Sequence, residues 1–240
     1  MPVHIHPTAE LAPRALLPGD PGRALALAQL VLSEPKMFNH NRGLWGYTGA
    51  AADGEPLTIQ STGMGGPSAA IVLEELCDLG LERAIRVGTC GALDGELRLG
   101  DLVIAEAAIA ADGASRALGA GDRVAAHAQL VEALRAATAG DAAGGARVRS
   151  GLVATSDLFY DRDPGCGGTW RAAGALGVEM EAATLLRVGE LRGIAVGCLL
   201  AVSDVFDAAG ARERIDADEL LRAGERLGRV GAAALARGVG

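Results

Sequence analysis

Hydrophobic positions along the chain follow two rhythms. Short apolar runs rich in Val, Ile and Leu occur at 57–62, "RAIRVG" 83–88, "DLVIAEAAIA" 101–110, "VRSGLVAT" 148–155 and "IAVGCLLAVS" 194–203. Runs of this length, apolar on both faces and bounded by turn-forming residues, predict strands inside a covered sheet. Between them, alanine- and leucine-rich stretches predict helices at 22–32, 67–79, 124–138, 180–192 and 216–237. Clusters of Gly, Pro and Asp at 18–22, 111–115, 139–147, 161–168 and 207–211 predict connections, none long enough to separate a second domain. The alternation predicts a single α/β layer domain over residues 1–240, without internal repeats.

Half of the 240 residues are hydrophobic, enough for a large core. A formal charge of −8 leaves no basic stripe for a polynucleotide, so no nucleic-acid partner is expected and an anionic ligand must be met by local arginines. Cys77, Cys90, Cys166 and Cys198 are scattered without a CxxC pair, which suits reduced thiols and predicts no metal site. The opening "MPVHIHPTAELAPR" lacks a basic stretch followed by an apolar one, and no run approaches ~18 apolar residues. A soluble, cytoplasmic protein with no membrane partner is expected. Lys36 is the only lysine among many arginines, a bias of GC-rich genomes, so an arginine must argue from its position.

Four stretches bring chemistry to strand ends. "LLPGDPGRA" 16–24 sets a Gly-Asp-Pro-Gly turn and Arg23 at a helix start, where backbone N–H groups can cradle an anion. "STGMGGPSAA" 61–70 repeats the device without the Gly-Lys-Ser/Thr of a P-loop. "IRVGTCGAL" 85–93 places Arg86 inside an apolar strand and Thr89 near its end. "LLAVSDVF" 199–206 ends on Ser203 and Asp204, and a desolvated carboxyl at such a strand mouth is a candidate proton donor. Taken singly, each has an ordinary alternative: a turn opening a helix, a tight connection, an edge-strand arginine, a helix N-cap. Together they suggest one pocket, because an α/β sheet gathers strand ends at one edge.

A fifth stretch, "GVEMEAATLL" 177–186, sets Glu179 and Glu181 in small apolar surroundings. Burying either costs several kcal/mol, roughly, unless its charge is answered. His4, His6, His40 and His127 show no metal spacing; His127 is expected on a helix surface, and His4 and His6 in a terminus that frays.

Read in order, "HI" 4–5, "PGDPGRA" 18–24, "NRGLWGYTG" 41–49, "GMGGPS" 63–68, "RVGTCGAL" 86–93, "SDLFY" 156–160, "GVEMEAA" 177–183 and "VSD" 202–204 resemble the nucleoside phosphorylase family. The resemblance is to the branch of hexameric bacterial purine nucleoside phosphorylases and uridine phosphorylases, and it runs nearly end to end. It implies a three-layer α/β/α domain with a mixed, partly barrel-like central sheet. It also implies a homo-oligomer with sites shared between subunits, a hexamer built as a trimer of dimers, and no cofactor besides inorganic phosphate as co-substrate.

The same resemblance implies the site. Gly19, Arg23, Arg86 and Thr89 would hold phosphate, with Arg42 completing it from the neighbouring subunit. Glu181 would accept from the ribose 2′- and 3′-hydroxyls, Met64 and Met180 would pack on the sugar, and His4 would reach the 5′-hydroxyl across the dimer interface. Cys90, Gly91, Phe159, Val178 and Glu179 would line the base pocket, with Ser203 and Asp204 facing a purine. Asp204 would serve N7 of the leaving base while phosphate attacks the anomeric carbon with inversion. Arg212 and Arg214 are candidate helpers of Asp204. The Gln and Arg by which uridine phosphorylases read uracil have no counterpart in register in "FYDRDPGCGG", which disfavours pyrimidines. Three alternatives remain beside the purine phosphorylase: a uridine phosphorylase, a methylthioadenosine phosphorylase or nucleosidase of the same superfold, and a non-catalytic nucleoside sensor.

Overall fold

The computed structural model describes residues 2–140, 147–161, 165–206 and 211–237. In chain order the elements are β1 (Arg14–Leu17), α1 (Pro21–Val31), β2 (Ser33–Asn39), a 3-10 turn (Asn41–Gly43), β3 (Gly46–Ala50), β4 (Pro56–Gln60), α2 (Gly66–Asp78), β5 (Arg83–Ala92), β6 (Leu102–Ala110), α3 (Gly113–Ala117), β7 (Arg123–Ala125), α4 (Ala128–Gly140), β8 (Val148–Thr155), α5 (Gly165–Ala172), β9 (Ala175–Glu179), α6 (Ala182–Arg192), β10 (Ala195–Phe206), β11 (Arg212–Arg214) and α7 (Ala217–Ala236).

All strands join one mixed sheet in the order β11-β10-β6-β8-β9-β5-β1-β4-β3-β2, with β7 paired to β6. A further pairing of β10 with β5 closes β5, β10, β6, β8 and β9 into a five-stranded ring. Strands β1, β4, β3 and β2 run out from β5 as an open wing, while β11 adds to β10 and β7 to β6. Two groups of packed helices, α1 with α4 and α7 and α2 with α3 and α6, supply the outer layers of the α/β/α arrangement. The apolar runs make the ring because their side chains are covered on both faces: Ile85, Val87, Leu102, Ile104, Leu199 and Leu200 are fully buried. Each such side chain contributes about 1.5–3 kcal/mol relative to exposure.

Strands β5 and β10 run parallel and in register from Arg83 opposite Ala195 to Cys90 opposite Val202, then slip by one residue so that Asp204 faces Gly91. This bulge re-aims the end of β10 at the point where β5 also meets β9, Gly91 facing Val178. Arg86, Asp204 and the end of β9 are thereby collected around one rim of the ring.

Some elements differ from the sequence expectation. Residues 123–125 form β7 rather than the start of a helix, and α4 begins only at Ala128. The cause is period-two burial, with Val124 inside between exposed Arg123 and Ala125. His127 consequently precedes the helix instead of lying on it. The helix expected from 180 starts at Ala182, because β9 occupies 175–179.

Strands β2, β3 and β11 and helices α3 and α5 have no counterpart in the apolar pattern either. In β2 only Phe38 and Asn39 are buried, so no apolar alternation marks it. Its first half is irregular: Glu34 has φ 48°, Pro35 follows, and the pairing with β3 breaks register between Ser33 and Lys36. The connections expected over 139–147, 161–168 and 207–211 fall partly on 141–146, 162–164 and 207–210, which lie outside the described residues.

Candidate active site

Two of the glycine turns lock together. Thr62 and Gly63 donate their N–H groups to the carbonyls of Pro18 and Gly19 at 2.9 and 3.0 Å. Asp20 caps α1 by accepting from the Arg23 N–H at 2.6 Å, with proline at the start of the helix. Gly65 caps α2 with φ 86°, a conformation costly for residues other than glycine, and donates its N–H to Glu181 Oε1 at 2.5 Å.

Arg86 lies at the centre, 4% exposed. Its Nε donates to Glu179 Oε2 at 2.9 Å, its Nη2 pairs with Glu181 Oε2, and its buried Nη1 has no hydrogen-bond partner among the described residues. The guanidinium folds back along β5 over Gly88, where an added Cβ would lie 2.7 Å from Nη2. Gly88 is therefore part of the site, and its signal in sequence is its place two residues after Arg86 on the same strand face.

The two glutamates are answered differently. Glu179 accepts from Thr155 Oγ1 at 2.6 Å and from the backbone N–H groups of Glu181 and Ala182 at 2.8 and 2.9 Å, at the N-terminus of α6. Its carboxylate is turned to Arg86 and this helix end, so it braces the arginine. Glu181, 5% exposed, has among the described residues only the Gly65 N–H and Arg86 as partners. Burial pushes its carboxyl above the ordinary value, with Arg86 opposing and the like charge of Glu179 adding. Against burial, the two carboxylates hold the Arg86 proton more tightly than usual. One cation facing two carboxylates makes both directions compatible: the cation stays charged, and burial raises Glu181, which has fewer hydrogen-bond donors to offset it. Burial lowers the Arg23 guanidinium, Asp20 opposes this, and the positive charge of Arg86 adds to it. The Arg23 side chain makes no hydrogen bond or ion pair among the described residues.

Asp204 sits 4% exposed at the other side of the rim. Ser203 Oγ donates to its Oδ2 at 2.6 Å, and Arg212 Nε and Arg214 Nη1 donate to its Oδ1 at 2.7 and 3.2 Å. Antiparallel pairing of β10 with β11 sets Arg214 opposite Asp204 and brings both arginines into reach. The Arg212 guanidinium also lies 4.5 Å over the ring of Phe159, a cation–π contact that joins this aromatic to the same group. Burial, with Glu179 adding, pushes the Cys90 thiol up to about 12, and Cys198 is also raised, so neither is a thiolate nucleophile at neutral pH.

The remaining expected residues surround this core. Thr89, Gly91, Val178 and Met180 are half-buried. Cys90 is buried, and its carbonyl accepts from Ser203 Oγ at 3.3 Å. Phe159 and Met64 are exposed, Met64 by 86%. Arg42 is exposed on the 3-10 turn with φ 57°, a left-handed conformation uncommon outside glycine. No hydrogen bond or ion pair among the described residues joins Arg42 or His4 to Arg86, Glu181 or Asp204. The N-terminal arm is not frayed: Glu75 of α2 accepts from the backbone N–H groups of Val3, His4 and Ile5, and Ile5 is fully buried. Glu75 and Thr155 carry no motif of their own in the sequence.

Among the described residues no group of three or more His, Cys, Asp and Glu could hold a metal ion, and no helix is long and apolar enough to cross a membrane.

The family model of the phosphorylase superfamily matches residues 13–236. A "purine nucleoside phosphorylase DeoD-type" of Geobacillus kaustophilus is 38% identical over 206 residues, covering 85% of this chain and 86% of the relative. One of the same description from Clostridium novyi is 36% identical, covering 81% and 83%. A "guanosine phosphorylase" of Halorubrum lacusprofundi is 34% identical, covering 86% and 84%. A family match over nearly the whole chain, on a fold whose ring gathers the conspicuous motifs at one rim, means that the chain belongs to the phosphorylase superfamily.

Proposed function

We propose that the protein is a purine nucleoside phosphorylase, cleaving purine ribonucleosides and deoxyribonucleosides reversibly to the free base and the pentose 1-phosphate. The observation that carries this reading is the buried Arg86, clamped by Glu179 and Glu181 yet left with an unmatched Nη1, beside the unpaired Arg23. Leaving a buried donor unmatched costs about 1–3 kcal/mol, and more for a charged group. An inorganic phosphate bound by Gly19, Arg23, Arg86 and Thr89 removes that cost, and its oxygens match guanidinium forks.

The sugar then lies between the phosphate and the base. Glu181 accepts from the ribose hydroxyls in place of solvent, and its charge favours the positive sugar that develops as the glycosidic bond lengthens. Met64 and Met180 pack on the ribose. Cys90, Gly91, Phe159, Val178 and Ser203 bound the base, while Glu179 shapes this side through Arg86 and α6. Asp204 gives a proton or hydrogen bond to purine N7, and Arg212, which contacts both Asp204 and Phe159, is the helper the geometry favours over the more distant Arg214. Phosphate attacks the anomeric carbon from the opposite face, where the two reactants are already aligned.

Arg42 and His4 lie outside this cluster, consistent with work in a neighbouring subunit's site. On this reading the assembly is a homo-oligomer, a hexamer of three dimers as the family resemblance implies, with one domain per chain over residues 1–240. Phosphate is a co-substrate and no cofactor is required; the location is cytoplasmic. The test is release of base from inosine, adenosine, methylthioadenosine and uridine, with and without phosphate. Strictly phosphate-dependent release from purine nucleosides is expected. Equal release without phosphate would make the protein a nucleosidase, binding without release a sensor, and preference for uridine a pyrimidine enzyme.

A further inference from the structure

Glu75 is a largely buried carboxylate outside the cluster just described, and nearly all its lone pairs are used on the N-terminal arm. Its Oε1 accepts from the N–H of Val3 at 3.0 Å, and its Oε2 accepts from the N–H groups of His4 and Ile5 at 2.9 and 2.7 Å. Three consecutive amides converging on one anion form a nest, which fixes the backbone of residues 3–5 on α2. The His4 ring completes the arrangement, with Nδ1 2.7 Å from Glu75 Oε1. These N–H donors, together with His4, hold the Glu75 carboxyl down to about 2 against the effect of burial, so it is ionised at working pH. An ionised carboxylate only accepts hydrogen bonds, so His4 Nδ1 must carry the proton. In the neutral ring this leaves Nε2 with a free lone pair.

The far side of the arm is tied as well. Asn41 Nδ2 donates to the His4 carbonyl at 2.8 Å, and Asn41 immediately precedes Arg42 in the 3-10 turn. Asn39, fully buried, accepts from the N–H groups of His6 and Asn41 at 2.9 and 3.3 Å. The arm and the Arg42 turn are therefore one cross-braced unit.

We infer that Glu75 is a positioning residue that fixes His4 in the Nδ1–H tautomer and aims Nε2 as an acceptor for the 5′-hydroxyl of the nucleoside. The inference rests on the phosphorolysis reading and deepens it, and Asn41 is the brace that couples this acceptor to Arg42. Glu75 touches no substrate; it acts through His4. In Glu75→Gln the amide keeps the size but presents a donor to the same N–H groups, so the ring loses its fixed tautomer.

The test compares inosine with 5′-deoxyinosine, which lacks the hydroxyl. Glu75→Gln is expected to raise KM for inosine about tenfold, the size of one lost hydrogen bond, with kcat nearly constant and the kinetics of 5′-deoxyinosine unmoved. In a His4→Ala background the same change is expected to add nothing. Equal losses for both substrates, or additive losses with His4→Ala, would overturn the positioning role and leave Glu75 as a structural tie. If His4→Ala itself fails to separate the two substrates, the assignment of His4 is what fails, and the positioning role falls with it. A readout independent of turnover is the imidazole nitrogen spectrum of His4. Wild type should give a protonated Nδ1 and an unprotonated Nε2, and Glu75→Gln a mixture; an unprotonated Nδ1 in the wild type would refute the inference even if the protein released no base.

Discussion

At the scale of single residues, the site is an unequal division of charge. Glu179 has Thr155, two backbone amides and Arg86, whereas Glu181 has one amide and a share of the same arginine. Glu181 is thus the carboxylate with capacity left for a diol. Its raised pKa has a defined sign: the folded protein keeps this proton where the unfolded chain has released it, so stability falls as pH rises from about 4.5 through the folded value. Denaturant titrations of wild type and Glu181→Gln across that range should show a decline in the wild type that the variant lacks. At Asp204, conversion to Asn should lower turnover on inosine by about 10²–10⁴ while phosphate still protects the fold against heating, since the amide keeps the shape but not the acid. An unchanged rate would remove Asp204 from the mechanism.

At the scale of elements, β5 carries the most information: Arg86, Gly88, Thr89, Cys90 and Gly91 lie along ten residues of one strand. Gly88→Ala should push the Arg86 guanidinium off its seat, because the new Cβ meets Nη2 at 2.7 Å. We expect weaker phosphate binding by about tenfold and a stability loss of ~1–3 kcal/mol, the usual cost of overpacking; calorimetric titration with phosphate checks the first. Much of this was legible in the sequence. The apolar runs gave four of the ring strands, β5, β6, β8 and β10, and the wing strand β4, the glycine turns gave the rim, and the collinear motifs gave the family. Less visible was whatever depends on pairing instead of local pattern. Strand β9 was hidden because its five residues, ALGVE, look like the approach to a helix, and they become a strand only between β8 and β5. Glu75 was hidden because its partners lie some seventy residues away in a segment with no motif beyond "HI".

At the scale of the whole molecule, the proposal that subunits share sites makes the single chain an incomplete unit. The arm with His4 and the turn with Arg42 are braced to each other but, among the described residues, not bonded to Arg86, Glu181 or Asp204, as that proposal requires of parts serving another copy. This predicts complementation: Arg42→Ala and Asp204→Asn, each strongly impaired alone, should regain activity when co-assembled, because some mixed contacts pair an intact Arg42 with an intact Asp204. Absence of recovery in verified mixed oligomers would mean that each chain serves itself. The irregular outer strand β2 bears on how such copies can meet. Pro35 lacks an amide hydrogen, Lys36 adds charge, and the turned backbone at Glu34 interrupts the ladder, so an incoming chain finds no continuous line of partners along this border. Growth of the sheet from molecule to molecule is therefore disfavoured at this border, and any association between copies has to use other surfaces.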